Sequence, residues 1–350
     1  MKKKSVLVYG EYSGYGKSLV KGFRELGYSA EVLSFSGDGF KKINSGITLK
    51  GNNKISKLIN IIRLIPSILK YKNILITNPD FFSFRFLGPI ILLLLKITNK
   101  NIILLCCGDD VEFIKQGLNG NLENWPYSDI PLPNKKYFSR KRDVFINYLV
   151  AFSAKKIVPV MYDYKKAWSL SKFAYKLTET IPLACDGEVI NIKNNVKEKI
   201  VIMHGINRED FKGSNIIKKA LSEIEKKYKH NVEIILPKHL PLYKYLEIMN
   251  SVDISIDQTK GNSYGMNAIY SMLSGHVVLA PANNYFKNDL QITECPIVSI
   301  NNSKESIVNA LNELIRKKEN LFELKTYSQN FAINLHSCKS VAKKFDKYLK

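Results

Sequence analysis

The sequence predicts an α/β protein of two domains, each a parallel sheet of short strands alternating with helices. Three observations predict it. A chain of 350 residues with 45% hydrophobic content suits two cores of ordinary size. Short apolar runs bounded by Gly, Pro and Asn alternate with segments whose apolar residues fall at helical spacing. Asp253–Ala280, read as DISIDQTKGNSYGMNAIYSMLSGHVVLA, condenses that plan into one βαβ unit. Asp253–Asp257 alternates like a half-buried strand, and Gln258–Ser263 is a polar loop. Tyr264–Ser274 carries Ala268, Met272 and Leu273 at helical spacing and stops at Gly275, before a buried run from His276 to Ala280. The helix thus opens from a small-residue loop at the carboxyl end of a strand. The free N–H groups of Gly265, Met266 and Asn267 there suit a phosphate, though an ordinary crossover has the same pattern.

The first domain opens with a strand at Val6–Tyr9, the loop Gly10–Ser18 and a helix through Leu26. GEYSGYGKS resembles a Walker A loop but fails its spacing, and Glu11 would oppose a triphosphate. Gly14 and Gly16 are read instead as allowing close approach of a ligand. A second strand is expected at Ala30–Phe35. Lys54–Tyr71 predicts an amphipathic basic helix ended or kinked by Pro66, and Asn73–Thr77 a strand. Phe81–Leu95 is heavily apolar, but its uninterrupted run is far below the roughly 20 residues that span a bilayer. It is either a buried helix or, with the basic helix before it, a contact with one membrane leaflet. Asn101–Cys107 reads as a buried parallel strand ending in Gly108-Asp109-Asp110. Those carboxylates could orient a hydroxyl, act as a base or cap the next helix. Leu118–Asn134 reads as a long loop, Lys136–Phe152 as a helix and Lys156–Val160 as a strand. The interdomain linker is placed near Asn191–Lys199.

The second domain starts with a strand at Lys199–Met203, then HGINREDFKGS. Arg208 and Lys212, just before a helix at Asn215–Tyr228, make an anion site or two solvated charges. A strand at Asn231–Leu236 and a helix at Leu242–Ser251 follow. After the βαβ unit come an amphipathic helix at Glu305–Arg316 and a long basic helix at Tyr327–Leu349.

Composition excludes some function classes. Five cysteines without C-x-x-C spacing or a His cluster argue against a disulfide framework or structural zinc and favour a reducing, cytoplasmic setting. The apolar run near the N-terminus is too short for a signal peptide. The net charge of +22 suits an anionic membrane face, in part reflects Lys-rich codon usage, and comes with no nucleic-acid-binding module.

HGINREDFKGS and DQTKGNSYGMNAIYSMLSGHVVLA resemble segments of the GT-B-fold glycosyltransferases, family 4 in particular, best over Lys199–Leu279. The resemblance implies two Rossmann-like β/α/β domains facing across a cleft. It divides the chain into an acceptor-side domain, 1–190, a donor-binding domain, 191–325, and a closing segment, 326–350, that returns to the first domain. It implies transfer of a sugar from a nucleotide-diphosphate sugar to a glycan or lipid-linked acceptor, with retention, in cell-envelope polysaccharide synthesis. No cofactor and no metal are implied, and no nucleic acid. Arg208 and Lys212 would hold the donor diphosphate, and Tyr264, Gly265 and Met266 would offer it backbone N–H groups. His204, Gln258 and Tyr270 would complete the donor side, Gly14 and Gly16 would face it, and Asp109 or Asp110 would lie near the acceptor.

Three positions depart from the family. Tyr270 stands where a Glu usually accepts from the ribose, Asn262 where the earlier Glu of the pair stands, and Val277 where Pro precedes Val. A phenol offers one oxygen where a carboxylate offers two. A relative that binds a nucleotide sugar or a protein partner without turnover is the alternative.

Overall fold

The computed structural model describes residues 4–34, 46–48, 53–77, 81–82, 87–133, 140–192 and 198–350. The chain forms two compact units, one of residues 1–122, 132–186 and 337–350 and one of 123–131 and 187–336.

The first unit runs β1 (Ser5–Tyr9), α1 (Tyr15–Glu25), β2 (Ser29–Ser34), β3 (Ile47–Thr48), α2 (Lys54–Ile68), β4 (Asn73–Ile76) and α3 (Leu87–Ile97). It continues through β5 (Asn101–Cys106), α4 (Val111–Leu118), α5 (Lys141–Ser153), β6 (Lys156–Pro159) and α6 (Tyr162–Ser169). All strands are parallel in the order β3-β2-β1-β4-β5-β6. β5 is buried at every position, which is why it reads as a continuous apolar run rather than an alternating one. The expected strand end at Phe35, positions 83–86 of the Phe81–Leu95 segment, the loop end at Asn134, the first turn of the Lys136–Phe152 helix and most of the linker lie outside the described residues. Pro66 sits inside α2, in the last turn before its end at Ile68, so it closes the helix rather than interrupting it.

The second unit runs β7 (Ile200–His204), α7 (Glu209–Lys212), α8 (Ser214–Lys227), β8 (Val232–Ile235), α9 (Leu242–Met249), β9 (Ile254–Ile256) and α10 (Met266–Leu273). β10 (Val277–Ala280), α11 (Asn284–Leu290), β11 (Val298–Ser299), α12 (Lys304–Arg316) and α13 (Leu321–His336) complete it. Its sheet is also parallel, ordered β11-β10-β9-β7-β8. Ile202, Ile254, Ile256, Val277 and Leu279 form one core with Ile217, Leu221 and Ile224 of α8 and Ile307 and Leu311 of α12. Gly275, at φ +75°, ends α10 in the left-handed conformation that a C′ glycine supplies, as the sequence predicts.

The expected closing helix is two helices. Ser337 is extended, at ψ 140°, between α13 and α14 (Cys338–Lys344). α13 belongs to the second unit, where the Tyr264 hydroxyl and His336 Nε2 are 2.9 Å apart. The segment belonging to the first unit therefore begins at Ser337, not at residue 326. There α14 lies against α1 so closely that a Cβ on Gly22 would fall 1.9 Å from the Cys338 carbonyl oxygen. Residues 123–131 are the second departure from the expected division. They lie in the first half of the sequence but belong to the second unit.

Candidate active site

In an open parallel sheet a ligand binds beyond the carboxyl ends of the strands where the strand order reverses. In the second unit β8 follows β7 on one side and β9 returns to its other side, so the reversal falls between β7 and β9. The loops leaving those two neighbours are 205–213 and 257–265, the two stretches the sequence singles out.

Arg208 is the N-cap of α7 and Lys212 its last residue, so the predicted loop cations sit one helical turn apart. Arg208 is exposed, yet its guanidinium carbon lies 3.6 Å from the Phe211 ring centroid, and it donates a hydrogen bond to the Tyr127 hydroxyl. Gly213 carries the chain into α8 at φ +72°, and a Cβ there would meet Thr259 Oγ1 at 2.1 Å. Only glycine fits both the backbone and the space. Thr259 N–H donates to the Lys212 carbonyl at 3.0 Å, which ties the two loops together.

Asp257 joins them chemically. Its Oδ1 accepts from Lys212 Nζ at 2.8 Å and its Oδ2 from the Gly265 N–H at 3.2 Å, at the N-cap of α10. Burial pushes this carboxyl up, but the Lys212 charge and the hydrogen bonds outweigh burial and hold it below the usual carboxylate range. A single buried anion thus engages both groups expected to meet the donor phosphates, Lys212 and the α10 N-terminus. Lys212 keeps two more protons on its ammonium for another acceptor. The Gly265 N–H is already engaged, while Met266 begins the helix, where N–H groups lack intrahelical acceptors. In the sequence Asp257 is only the end of a strand. Its signal was an acid placed at a strand's carboxyl end, the same signal that drew attention to Asp109 and Asp110.

Other predicted donor residues serve the scaffold. His204 is fully buried, with Nδ1 2.8 Å from the Ile256 carbonyl and Nε2 2.8 Å from Ser214 Oγ. A carbonyl only accepts, so Nδ1 carries the proton and Nε2 accepts from Ser214. Burial, aided by the Lys212 charge, lowers its pKa to about 4, so the ring is neutral. The expectation that His204 contacts the donor is corrected: both nitrogens are spent joining β7, β9 and α8. Gln258 donates to the carbonyls of Lys260 and Ser263 at 3.1 and 3.2 Å and shapes its own loop. Tyr264 and Tyr270 are both buried.

In the first unit the reversal falls between β1 and β4. Glu11 occupies the start of α1, accepting from the N–H groups of Gly14 and Lys17, both at 2.8 Å. The helix end that a phosphate-binding loop would offer is filled by the chain's own carboxylate, in agreement with the rejection of a Walker A loop. Gly14, at φ +88°, turns the chain into α1. A Cβ on Gly16 would lie 2.6 Å from the Gly10 carbonyl oxygen, so Gly16 allows close approach of its own loop rather than of a ligand. Asp110 caps α4, with Oδ1 accepting from Phe113 N–H at 2.9 Å and Oδ2 from the Trp168 indole at 2.8 Å. Burial pushes its pKa up to about 7 against the pull of those two bonds. Its catalytic assignment is corrected to a helix cap, because both oxygens are committed inside the fold. Asp109 beside it is half-buried and remains the acceptor-side candidate. Among the described residues no group of three His, Cys, Asp or Glu could hold a metal ion.

No protein-family model matches the chain, and no curated protein matches it in sequence. Solved structures do match. HepE of Anabaena, solved with UDP and glucose, superposes with a TM-score of 0.63 at 12% identity, over 98% of each chain. The pneumococcal O-GlcNAc transferase GtfA, solved with UDP and GlcNAc, gives 0.63 at 10% identity over 99% of this chain and 98% of that one. WaaG, a glycosyltransferase of lipopolysaccharide biosynthesis, gives 0.55 at 11% identity over 99% of each. Two parallel α/β sheets matched in this way over nearly the whole length give the chain the GT-B fold of these glycosyltransferases.

Proposed function

We propose that the protein is a glycosyltransferase that moves a sugar from a nucleoside-diphosphate sugar to a glycan or lipid-linked acceptor, in cell-envelope polysaccharide synthesis. The carrying observation is the convergence of Lys212 and the α10 N-terminus on Asp257, one turn from Arg208, where the strand order reverses. A departing nucleoside diphosphate develops negative charge, and preorganised cations and N–H groups stabilise it. Arg208 supplies a fork for two phosphate oxygens and Lys212 a point charge. In this reading the positive charge comes from the chain itself, the anomeric configuration is retained, and Asp109 lies near the acceptor. HepE with UDP-glucose, GtfA with UDP and WaaG in lipopolysaccharide synthesis support the donor class and the kind of product.

Calorimetry with UDP, GDP and ADP sugars, followed by transfer to lipid-linked acceptors, tests it. Binding of one donor with turnover is expected. A chain that binds none of them loses this reading, and tight binding without turnover on any acceptor transfers the case to a non-catalytic nucleotide-sugar binder. Asn262 favours that second reading, since its amide is used inside the fold.

We further propose that the protein works at a cytoplasmic, anionic membrane face. Exposed Ile55, Ile59 and Ile62 on α2, Ile90, Leu93 and Ile97 on α3, and Phe145 and Phe152 on α5 alternate with exposed Lys57, Arg63, Lys96, Lys141 and Arg142. The crossovers through α2, α3 and α5 all run in one direction across the sheet, and right-handed connections place them on one face of it. Among the described residues no helix is long and apolar enough to cross a membrane, so the contact is with the surface. Liposomes rich in phosphatidylglycerol are expected to carry the protein upward in flotation at low salt. An Ile59→Glu/Leu93→Glu chain should stay at the bottom, and equal flotation of the two would sink the idea.

A further inference from the structure

We infer that residues 123–131 are a built part of the donor-binding unit and that Tyr127 is a positioning residue for Arg208. The inference rests on the donor-site reading above for its consequence, though not for its geometry. The chain leaves the first unit after Leu122, lays Glu123–Pro131 on the second, and returns at Leu132.

The attachment is polar and dense. Gly261 N–H donates to the Asn124 carbonyl at 2.8 Å. Asn262, buried, donates from its amide nitrogen to the Glu123 carbonyl at 2.9 Å. Its amide oxygen accepts from Asn124 Nδ2 at 2.9 Å and Asn283 Nδ2 at 2.7 Å. Lys260, also buried, donates to the Pro126 carbonyl at 3.3 Å and pairs with Asp129. The departure at Asn262 thereby gains a physical reason. An ionised Glu has no proton to give the Glu123 carbonyl and would set charge against it, whereas an amide donates and accepts at once. The position that resembles the family's acid has become the anchor of the strap.

The strap's aromatic residues then reach the cation. Trp125 and Tyr127 are buried and 5.4 Å apart between ring centroids, and Tyr127 meets Phe211 edge-on at 5.2 Å. Phe211 in turn carries the Arg208 guanidinium on its face, and the Tyr127 hydroxyl accepts from that guanidinium. A surface arginine ordinarily spends conformational entropy when it binds a phosphate. Here ring and hydroxyl hold the guanidinium plane before any ligand arrives, and preorganisation of that kind strengthens a site without a new ligand contact.

Two measurements test the inference. The first is hydrogen exchange in the full-length protein and in Asn262→Asp. Residues 123–131 and the Gly261 amide are expected to lose protection at least tenfold in the variant, while β10 keeps its own. Unchanged protection of the strap overturns its attachment. The second is calorimetry with UDP and inorganic pyrophosphate on the natural chain, Tyr127→Phe, Arg208→Ala and the double variant. Tyr127→Phe should weaken binding about tenfold, the scale of one hydrogen bond to a charged group. In the Arg208→Ala background it should have no further effect, because the hydroxyl acts only through the guanidinium. Equal weakening in both backgrounds overturns the positioning role and leaves a merely structural one. If the natural chain takes up neither probe, the donor-site reading and the positioning role fall together, and the strap's attachment is still decided by exchange.

Discussion

Lys212→Ala is expected to destabilise the second unit by about 3 kcal/mol as well as to end glycosyl transfer, because the lysine has two duties. From the sequence alone Lys212 is a loop cation whose loss removes activity and spares the fold. In the structure its ammonium neutralises Asp257, and the side chains are only 11% and 2% exposed. Truncating the lysine leaves a buried carboxylate without its counter-charge, the circumstance in which breaking an ion pair costs most. A loss of that size lowers the melting temperature by roughly 6–12 °C for a unit of this size. Transfer should fall about a hundredfold or more, the scale of losing one preorganised donor to a developing anion. Adding Asp257→Asn separates the two duties. The double variant removes both charges, so it should recover most of the lost melting temperature while remaining inactive. A double variant as unstable as the single one would show that the pair is not the source of the instability. Full turnover in Lys212→Ala would remove the residue from the chemistry.

The second unit is expected to lose about 3 kcal/mol of stability as pH falls from about 6.5 to about 4, through His204. The sign follows from where the proton goes. Above the ordinary histidine range neither the folded nor the unfolded chain protonates this ring. Below it the unfolded chain takes up a proton, while burial keeps the folded ring neutral until about pH 4. The unfolded state therefore binds more protons across that window, and acid favours it. Asp257 adds in the same direction at lower pH, since its folded pKa is depressed and its contribution disappears as pH falls through that value. Asp110 opposes them from the first unit. Its pKa is raised to about 7, so its ionisation costs stability as pH rises from the usual carboxyl range through that value. Exchange of the β9 amides, read against those of β5, follows each unit separately. His204→Asn should be less stable at neutral pH but show a flatter loss between pH 6.5 and 4. An unchanged slope in that variant would place the acid sensitivity elsewhere.

Much of the molecule was legible because parallel sheets write themselves into sequence. Buried strands such as Asn101–Cys106 are continuous apolar runs, and helices such as Lys304–Arg316 repeat at their own period. The loops at β7 and β9 were legible too, through Arg208, Lys212 and the small residues before α10. Polar residues at strand ends are less legible from their local sequence. His204 and Asp110 carry the chemistry expected of a site, yet each satisfies the scaffold, because a polar group at a strand's end is as easily spent on a cap or a neighbouring strand as on a ligand.

The sequence by itself determined the alternating β/α plan, the glycine stops and the two cation-bearing or glycine-bearing loops, since these depend on periodicity and backbone chemistry within a few residues. Only the tertiary structure decided that Asp257 binds Lys212 and the α10 N-terminus at once, that α13 and α14 belong to different units, and that Glu123–Pro131 belongs to the second unit. Tyr127 reaches Arg208 across 81 positions and Lys212 reaches Asp257 across 45. Contacts at such separations leave no period in the chain, and the residues that make them are chosen by what the fold brings within hydrogen-bonding distance.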